Sequence, residues 1–256
     1  MLDDLNRRLA AVQRLNVPAE AVYGRARSEG GTVLSPARGG TLHCPVCDGR
    51  FRKFLPFGLN GRRNARCPGC GSLERHRFLW LLLRDDYKLL RRRARVLHVA
   101  PEPAIRDALA ANRAIRYVSV DLFDPTADRA ADLAALPFPS GAFDTVICSH
   151  VLEHVADDRA AMAELHRVLA RGGRAAIMVP LDLTRAATFE DPTIDTAAGR
   201  NAAFGHPYHV RICGADYGDR LRSAGFAVRQ VRSNMLSAHY RRIWRINRTL
   251  VFDCRK

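Results

Sequence analysis

Residues 132–155 read DLAALPFPSGAFDTVICSHVLEHV, and the order of polar and apolar positions in this stretch decides the fold. Phe143 to Ser149 is an apolar, β-branched run bounded by Gly141 and His150, the pattern of a buried strand. Asp157-Asp158 then starts a helical pattern over 157–171, which Arg171-Gly172-Gly173 should close as a glycine C-cap. A further apolar run follows at 173–180.

Outward from this unit the same alternation continues. Strand candidates lie at 95–100, 116–121, 226–232 and 248–253, with helical candidates at 103–113 and 213–224. Apolar strands separated by helices imply an α/β domain with a parallel sheet covered on both faces. Such sheets bind ligands beyond the carboxyl ends of their strands, where the strand order switches. The informative residues should therefore follow the strands. Asp121, in YVSVDL, ends the second strand, and an acid there can accept hydrogen bonds from both ribose hydroxyls of an adenosine ligand. Asp132 with apolar Leu133 suits an adenine amino group and its face, and Ser149-His150 closes the next strand.

The first strand-to-helix turn lies in VLHVAPEPAI, residues 96–105. A nucleotide-type turn is rich in glycine, and this one has none. Pro103 suits the first helical position, where a missing N–H is harmless. Glu102 has two readings: a carboxylate facing a cationic ligand, or a solvated acid favoured by the helix dipole.

Seven cysteines occur in the chain. Four form Cys44-Pro-Val-Cys47 and Cys67-Pro-Gly-Cys70, the spacing of a four-thiolate zinc site. Four protein ligands fill a tetrahedral ion, so this zinc would be structural. Two disulfides or buried free thiols are the rival readings, and the lack of a secretion-type apolar segment disfavours the disulfides. Cys148, Cys213 and Cys254 sit in apolar contexts and read as small core residues. FRKFLPFGLNGRRNA, between the cysteine pairs, should form a hairpin carrying Phe51, Phe54 and Phe57.

The domain organisation that follows is an N-terminal helix (3–16) and linker over 1–40, a zinc ribbon over 41–71, a connecting helix over 72–94 with Ser72 as candidate N-cap, and the α/β domain over 95–256. The chain has 256 residues, 47% hydrophobic and 26% charged, which is ordinary globular composition. No apolar run spans a bilayer and the N-terminus lacks a signal core, so a cytoplasmic protein without a membrane partner is expected. The net charge of +15 invites a nucleic-acid partner, but it is almost all arginine, lysine occurring only at Lys53, Lys88 and Lys256. A GC-rich genome produces that bias without selection for binding.

VSVDL, DLAALPFPSGAFDTVICSHVLEHV and ELHRVLARGGRAAIMVP together make the stretch from 95 to about 253 resemble class I S-adenosylmethionine-dependent methyltransferases of the small-domain type. CPVC…CPGCGSLERHR resembles the zinc-ribbon front end of a bacterial group of such enzymes. The resemblance implies a Rossmann-like seven-stranded sheet with its last strand, 248–253, antiparallel. It implies S-adenosylmethionine as cofactor, with Asp121 and Leu122 at the ribose, Asp132 and Leu133 at the adenine, and Ser149 and His150 at the methionine end. The family's first loop usually reads D-x-G-x-G-x-G. Here His98 replaces the acid, and Ala100, Glu102 and Ala104 take the glycine positions. S-adenosylmethionine has no phosphate, so the turn needs suitable shape more than bare backbone, and Glu102 can meet the ammonium or sulfonium region.

Methyl transfer needs orientation, and a base only if the acceptor must lose a proton. Candidate bases are His150, His206 and His209; His154 reads as packing beneath the sheet. FGHPYHVR, 204–211, follows the fifth strand, where acceptor-binding insertions belong, and adds Tyr208 and Arg211 as substrate contacts. A second metal site on His206 and His209 is a weak reading, since two histidines so spaced are common by chance. The insertions at 181–205 and 233–247 suit a small-molecule acceptor such as a sugar, an amino-acid derivative or a secondary metabolite. Methylation of ribosomal or transfer RNA is the rival, and a degenerate fold acting as a binding module the third reading. Capping the pocket and building a homodimer interface are both open roles for the ribbon.

Overall fold

The computed structural model describes residues 38–58 and 61–256. The expected N-terminal helix at 3–16 and most of the 17–40 linker lie outside the described residues; the end of that linker is already strand, β1 (Arg38–His43).

Two small hairpins build the ribbon. β1 pairs antiparallel with β2 (Arg50–Phe51), and β3 (Leu55–Phe57) with β4 (Arg62–Arg66). Phe51 and Phe54 are buried with Cys44 and Cys67, their rings edge-on at 5.8 Å. Gly49 and Gly69 flank this cluster; a Cβ on either would meet the Phe51 ring at 2.7 and 2.9 Å, so only glycine fits.

Helix α1 (Glu74–Leu81) follows and runs into a π-helical turn, Leu82–Asp86. Ser72 is not its N-cap: Leu73 holds that position, and the Ser72 hydroxyl turns to the cysteines instead. The main sheet then assembles from β5 (Ala94–Val99), β6 (Ile115–Asp121), β7 (Arg129–Ala130), β8 (Phe143–Ser149), β9 (Leu169–Met178), β12 (Ala227–Arg232) and β13 (Leu250–Arg255). The spatial order is β12-β13-β9-β8-β5-β6-β7. β13 runs antiparallel to both β9 and β12, while the other pairings are parallel. This is the seven-stranded Rossmann-like methyltransferase sheet that the sequence predicts, with an antiparallel last strand. β7 escaped the sequence reading because it has two exposed residues and no apolar pattern.

Alternation along the strands sorts the core into two layers. Val146 and Cys148 of β8 join one cluster, with Met162 and Leu165 of α3 (Asp158–Val168) and Tyr217 and Leu221 of α5 (Tyr217–Ser223). Ile147 between them joins the other, with Leu79 and Leu83 from α1 and its π turn, and Ile105 and Leu109 of α2 (Pro103–Ala110). Ile105 and Leu109 are four apart, so both fall on one helix face and are fully buried. Truncating either to alanine should cost about 2–5 kcal/mol. The helix of the 72–94 segment is thus a covering layer of the sheet as well as a connector.

Helix α3 departs from expectation at its end. It stops at Val168 and passes directly into β9 at Leu169, so Arg171-Gly172-Gly173 is strand and not a C-cap. Leu169 is fully buried and pairs with Phe143, so core packing extends the backbone before the glycines are reached. Gly172 lies in the left-handed region inside the strand (φ 75°), its N–H donating to Lys256 O at 2.9 Å.

The remaining helices α4 (Ala197–Phe204) and α6 (Ala238–Ile243) lie in the two insertions, and the short strand β10 (Phe189–Glu190) of the first pairs with β11 (Arg211–Ile212) just beyond it. No described helix is long and apolar enough to cross a membrane.

Candidate active site and cysteine cluster

The chain passes from β5 outward to β6 and β7, then returns to lay β8 on the other side of β5. The carboxyl ends of β5 and β8 are therefore the switch point of the sheet, where ligands of this architecture bind. His98, Ala100, Glu102, Ser149 and His150 all gather there, and Asp121 ends the neighbouring β6.

His98 is fully buried near the end of β5. Its Nε2 lies 2.9 Å from Glu102 Oε2, and its Nδ1 3.0 Å from the Tyr117 hydroxyl. A carboxylate only accepts, so Nε2–H donates to Glu102, and in the neutral ring the Tyr117 O–H donates to Nδ1. Burial pushes the Tyr117 phenol up, which keeps that proton in place. The other oxygen of Glu102 lies 3.7 Å from His76 Nε2 of α1. Burial works against the Glu102 carboxylate, but His76, His98 and Ser149 outweigh it and hold the group below the usual range. His76 itself is pushed down to about 3, by burial first, and stays neutral at ordinary pH.

Two non-glycine residues at this switch point have left-handed backbone: Ala100 (φ 46°) and His150 (φ 56°). Ala100 N donates to Val120 O at 2.8 Å and His150 N to Met178 O at 2.8 Å, so neighbouring strands hold both turns. Ala100 thus adopts the conformation that glycine favours at a position where the related pattern has glycine.

Asp121 is buried, and its Oδ1 accepts from the N–H groups of Phe123 and Asp124 at 2.7 and 2.9 Å. Leu122 beside it is half-buried. Asp132 accepts from Ala134 N at 2.9 Å, forming an Asx turn. Leu133 is buried in the core, so Asp132 is the more accessible of the two.

His150 Nδ1 lies 3.2 Å from Oε1 of the buried Glu153. His150 also lines a cleft of about 840 Å³ between the carboxyl ends of β8 and β9, the ribbon, α1 and the second insertion. Arg62, Arg75, Arg232, Arg241 and Arg248 line it as well. Glu74 pairs with Arg62 at 3.3 Å and is the one carboxylate in the lining. Neither Arg75 Nε nor Arg241 Nε makes a hydrogen bond among the described residues.

The acceptor loop does not meet this cleft. Tyr208, His206, His209 and Arg211 are absent from its lining. Arg211 is not placed for substrate: it is 2% exposed, donating to the carbonyls of Leu152, Val155 and Ala156 and to Glu190. His206 and His209 instead meet His154, which the sequence reading left as packing. His209 is pushed down to about 4 by burial and by His154. His76, Arg75 and Glu153 were missed as site residues; the polar run Glu74-Arg-His-Arg77 inside an apolar helix was the available signal for the first two.

The four ribbon cysteines converge. Sγ of Cys44 lies 3.6 Å from that of Cys70, Cys47 3.7 Å from Cys67, and all four fall within 4.8 Å of one another. A tetrahedral ion with Zn–S of about 2.3 Å separates its sulfurs by about 3.8 Å, so the cluster fits zinc; a disulfide at about 2.05 Å is not formed. The Ser72 hydroxyl, 3.2 Å from both Cys44 and Cys70, supports the sulfurs from behind. The thiol of Cys44 is pulled down by contacts from Cys47, Cys67 and Cys70, while Cys67 and Cys70 are both pushed up by Cys44 and Cys47.

Residues 86–177 match the family model described as a methyltransferase domain. Among characterised sequences, the chain is 50% identical over 48 residues to the demethylmenaquinone methyltransferase of Thermus thermophilus, 19% of this chain and 22% of that one. It is 30% identical over 123 residues to a probable S-adenosylmethionine-dependent methyltransferase of Mycolicibacterium smegmatis, 48% of this chain and 41% of that one. The matches thus span less than half of either relative. Among solved structures, the (4+2)-cyclase SpnF superposes with a TM-score of 0.51 at 16% identity, over 80% of this chain and 87% of that one.

Proposed function

From a chain whose residues 86–177 belong to the methyltransferase domain family, on the class I S-adenosylmethionine-dependent fold, we propose methyl transfer from S-adenosylmethionine to an anionic small molecule. The observation that carries this reading is the position of His150. It follows β8 at the switch point and also lines the arginine-rich cleft, so cofactor and acceptor would meet beside it.

Bound there, S-adenosylmethionine supplies an electrophilic methyl group on a sulfonium. Asp121 accepts from the ribose hydroxyls, and Asp132 from the adenine amino group. Glu102, oriented by His98, faces the cationic methionine portion. The cleft falls in the size range of small-molecule sites, and its arginines orient phosphate or carboxylate groups on the acceptor. With the cofactor bound, His150 would take the proton that the acceptor must lose to present a lone pair to the methyl group. Glu153 holds the imidazole and stabilises its charged form. The Cys44, Cys47, Cys67 and Cys70 thiolates hold a structural zinc ion, which fixes the ribbon wall that carries Arg62.

The test pairs binding with labelling. S-adenosylhomocysteine should raise the melting temperature of the full chain by binding its native state. With methyl-labelled S-adenosylmethionine and extract fractions separated on an anion exchanger, label should enter the retained, low-molecular-weight fractions. No stabilisation would remove the cofactor reading. Label in RNA, or in neutral compounds only, would remove the acceptor class.

A further inference from the structure

A second polar cluster lies beside the cleft, and the reading above leaves most of it unused. The ring nitrogens of His154, His206 and His209 lie within 4.8 Å of one another. Their ring centroids are 4.5 Å apart for His206 and His209, and 4.8 Å for His154 and His209. The loop bearing two of these rings is anchored: Val210 N donates to Glu153 O at 3.0 Å, and buried Arg211 clamps the carbonyls that follow β8.

His154 is oriented as a ligand. Its Nδ1 lies 3.0 Å from the Tyr208 carbonyl, which only accepts, so Nδ1 carries a proton and Nε2 is the nitrogen left for a metal. Metal-binding histidines are held by this kind of second contact. Nε2 in turn lies 3.9 Å from Glu153 Oε1. Two ligand atoms each about 2.0–2.2 Å from one ion sit about 3–4 Å apart, so this separation suits a shared metal. Glu153 adds an independent observation. It is 1% exposed, and its Oε2 makes no hydrogen bond among the described residues. Buried carboxylate oxygens are normally paired, so an orphan on the carboxylate that already approaches His154 points to a cation there.

We propose that His154, His206 and His209, with Glu153 as the carboxylate ligand, bind a divalent transition-metal ion distinct from the ribbon zinc. A donor set rich in imidazole suits zinc, copper, iron(II), cobalt or nickel, whereas calcium, magnesium and manganese prefer oxygen-rich sites. Binding through either nitrogen of His206 exchanges its long 3.3 Å contact from Tyr208 N for a metal bond. The ion ties the loop at 206–209 to the segment after β8, next to His150.

Metal analysis of the full chain, saturated with zinc and then dialysed, tests this without any methyl acceptor. Two equivalents per chain are expected, falling to one in the His206→Ala/His209→Ala double variant. Equal metal content in the two proteins overturns the proposal. If the variant does not fold, cobalt titration of the unaltered chain decides. One equivalent should give thiolate-to-cobalt charge-transfer bands, and a further one only weaker ligand-field absorption. A titration that yields thiolate bands alone also overturns it.

Discussion

Nε2 of His98 lies 2.9 Å from Oε2 of Glu102, four residues on and across the first turn of the sheet. The resembled family ends this strand with an acid; here a buried histidine stands in its place and holds a carboxylate that the loop supplies. Glu102→Gln removes the charge at nearly constant shape. Hydrogen bonds to charged groups contribute about 1.5–3 kcal/mol, so affinity for S-adenosylhomocysteine should fall about 10- to 100-fold by calorimetry. His98→Ala should weaken binding in the same direction by releasing Glu102. An unaltered dissociation constant in Glu102→Gln would exclude the carboxylate from the cofactor site.

Ala100 sits at φ 46°, a conformation that costs a residue with a side chain about 1–2 kcal/mol. Ala100→Gly relieves this but adds freedom to the unfolded chain, so stability should hold or rise by up to about 1 kcal/mol. Ala104→Gly, two residues into α2, should instead lose about 1 kcal/mol. Urea midpoints of the two variants should move apart. Equal losses would show that the backbone of the turn is unstrained.

The sheet was legible because its central strands are apolar runs between helical patterns, and periodicity reports burial directly. The placement of Asp121, Ser149 and His150 at the carboxyl ends of β6 and β8 was legible because each closes an apolar run. The acceptor side was not. Arg211 looked like a ligand-binding arginine, and no local pattern says that its guanidinium folds back onto carbonyls more than fifty residues earlier in the chain. The cleft draws its arginines from the ribbon, α1, the end of β12 and the second insertion with Arg248 just after it, a convergence that tertiary packing alone creates. His154 was read as packing for the same reason, since its partners lie on a distant loop.

Arg77 joins the ribbon to the α/β domain and should be intolerant of change. Its fully buried guanidinium donates to Ser72 O (2.6 Å), Ala65 O (3.1 Å), Trp244 O (2.7 Å) and Arg245 O (2.8 Å), and lies over the Phe54 ring. A lysine cannot reproduce that fork, and it leaves buried carbonyls without donors. Arg77→Lys should cost about 2–4 kcal/mol in denaturant unfolding. Trp244 Nε1 donates to His43 Nδ1 at 3.1 Å, so its fluorescence should report ribbon release, and chelator should release it sooner in the variant. A loss below about 0.5 kcal/mol would mean that the ribbon is held elsewhere.

His76 sets an acid limit on stability. Its pKa is about 3 in the folded chain, against an ordinary 6.5, because burial disfavours the charged ring more than Glu102 favours it. The unfolded chain therefore takes up a proton as pH falls through 6.5, while the folded chain stays neutral until about 3. Stability from this group is complete above pH 6.5 and drains away as pH falls toward 3. The slope is about 1.4 kcal/mol per pH unit, or about 2 kcal/mol lost by pH 5. His76→Gln keeps an acceptor for Leu73 N, which now donates to His76 Nδ1 at 3.3 Å, and it cannot titrate. Urea midpoints at pH 7, 6 and 5 should decline less steeply in His76→Gln, by about one proton. Parallel declines would mean that His76 is protonated in the folded chain, and that a His76–Glu102 ion pair, not a neutral ring, stands behind the cofactor loop.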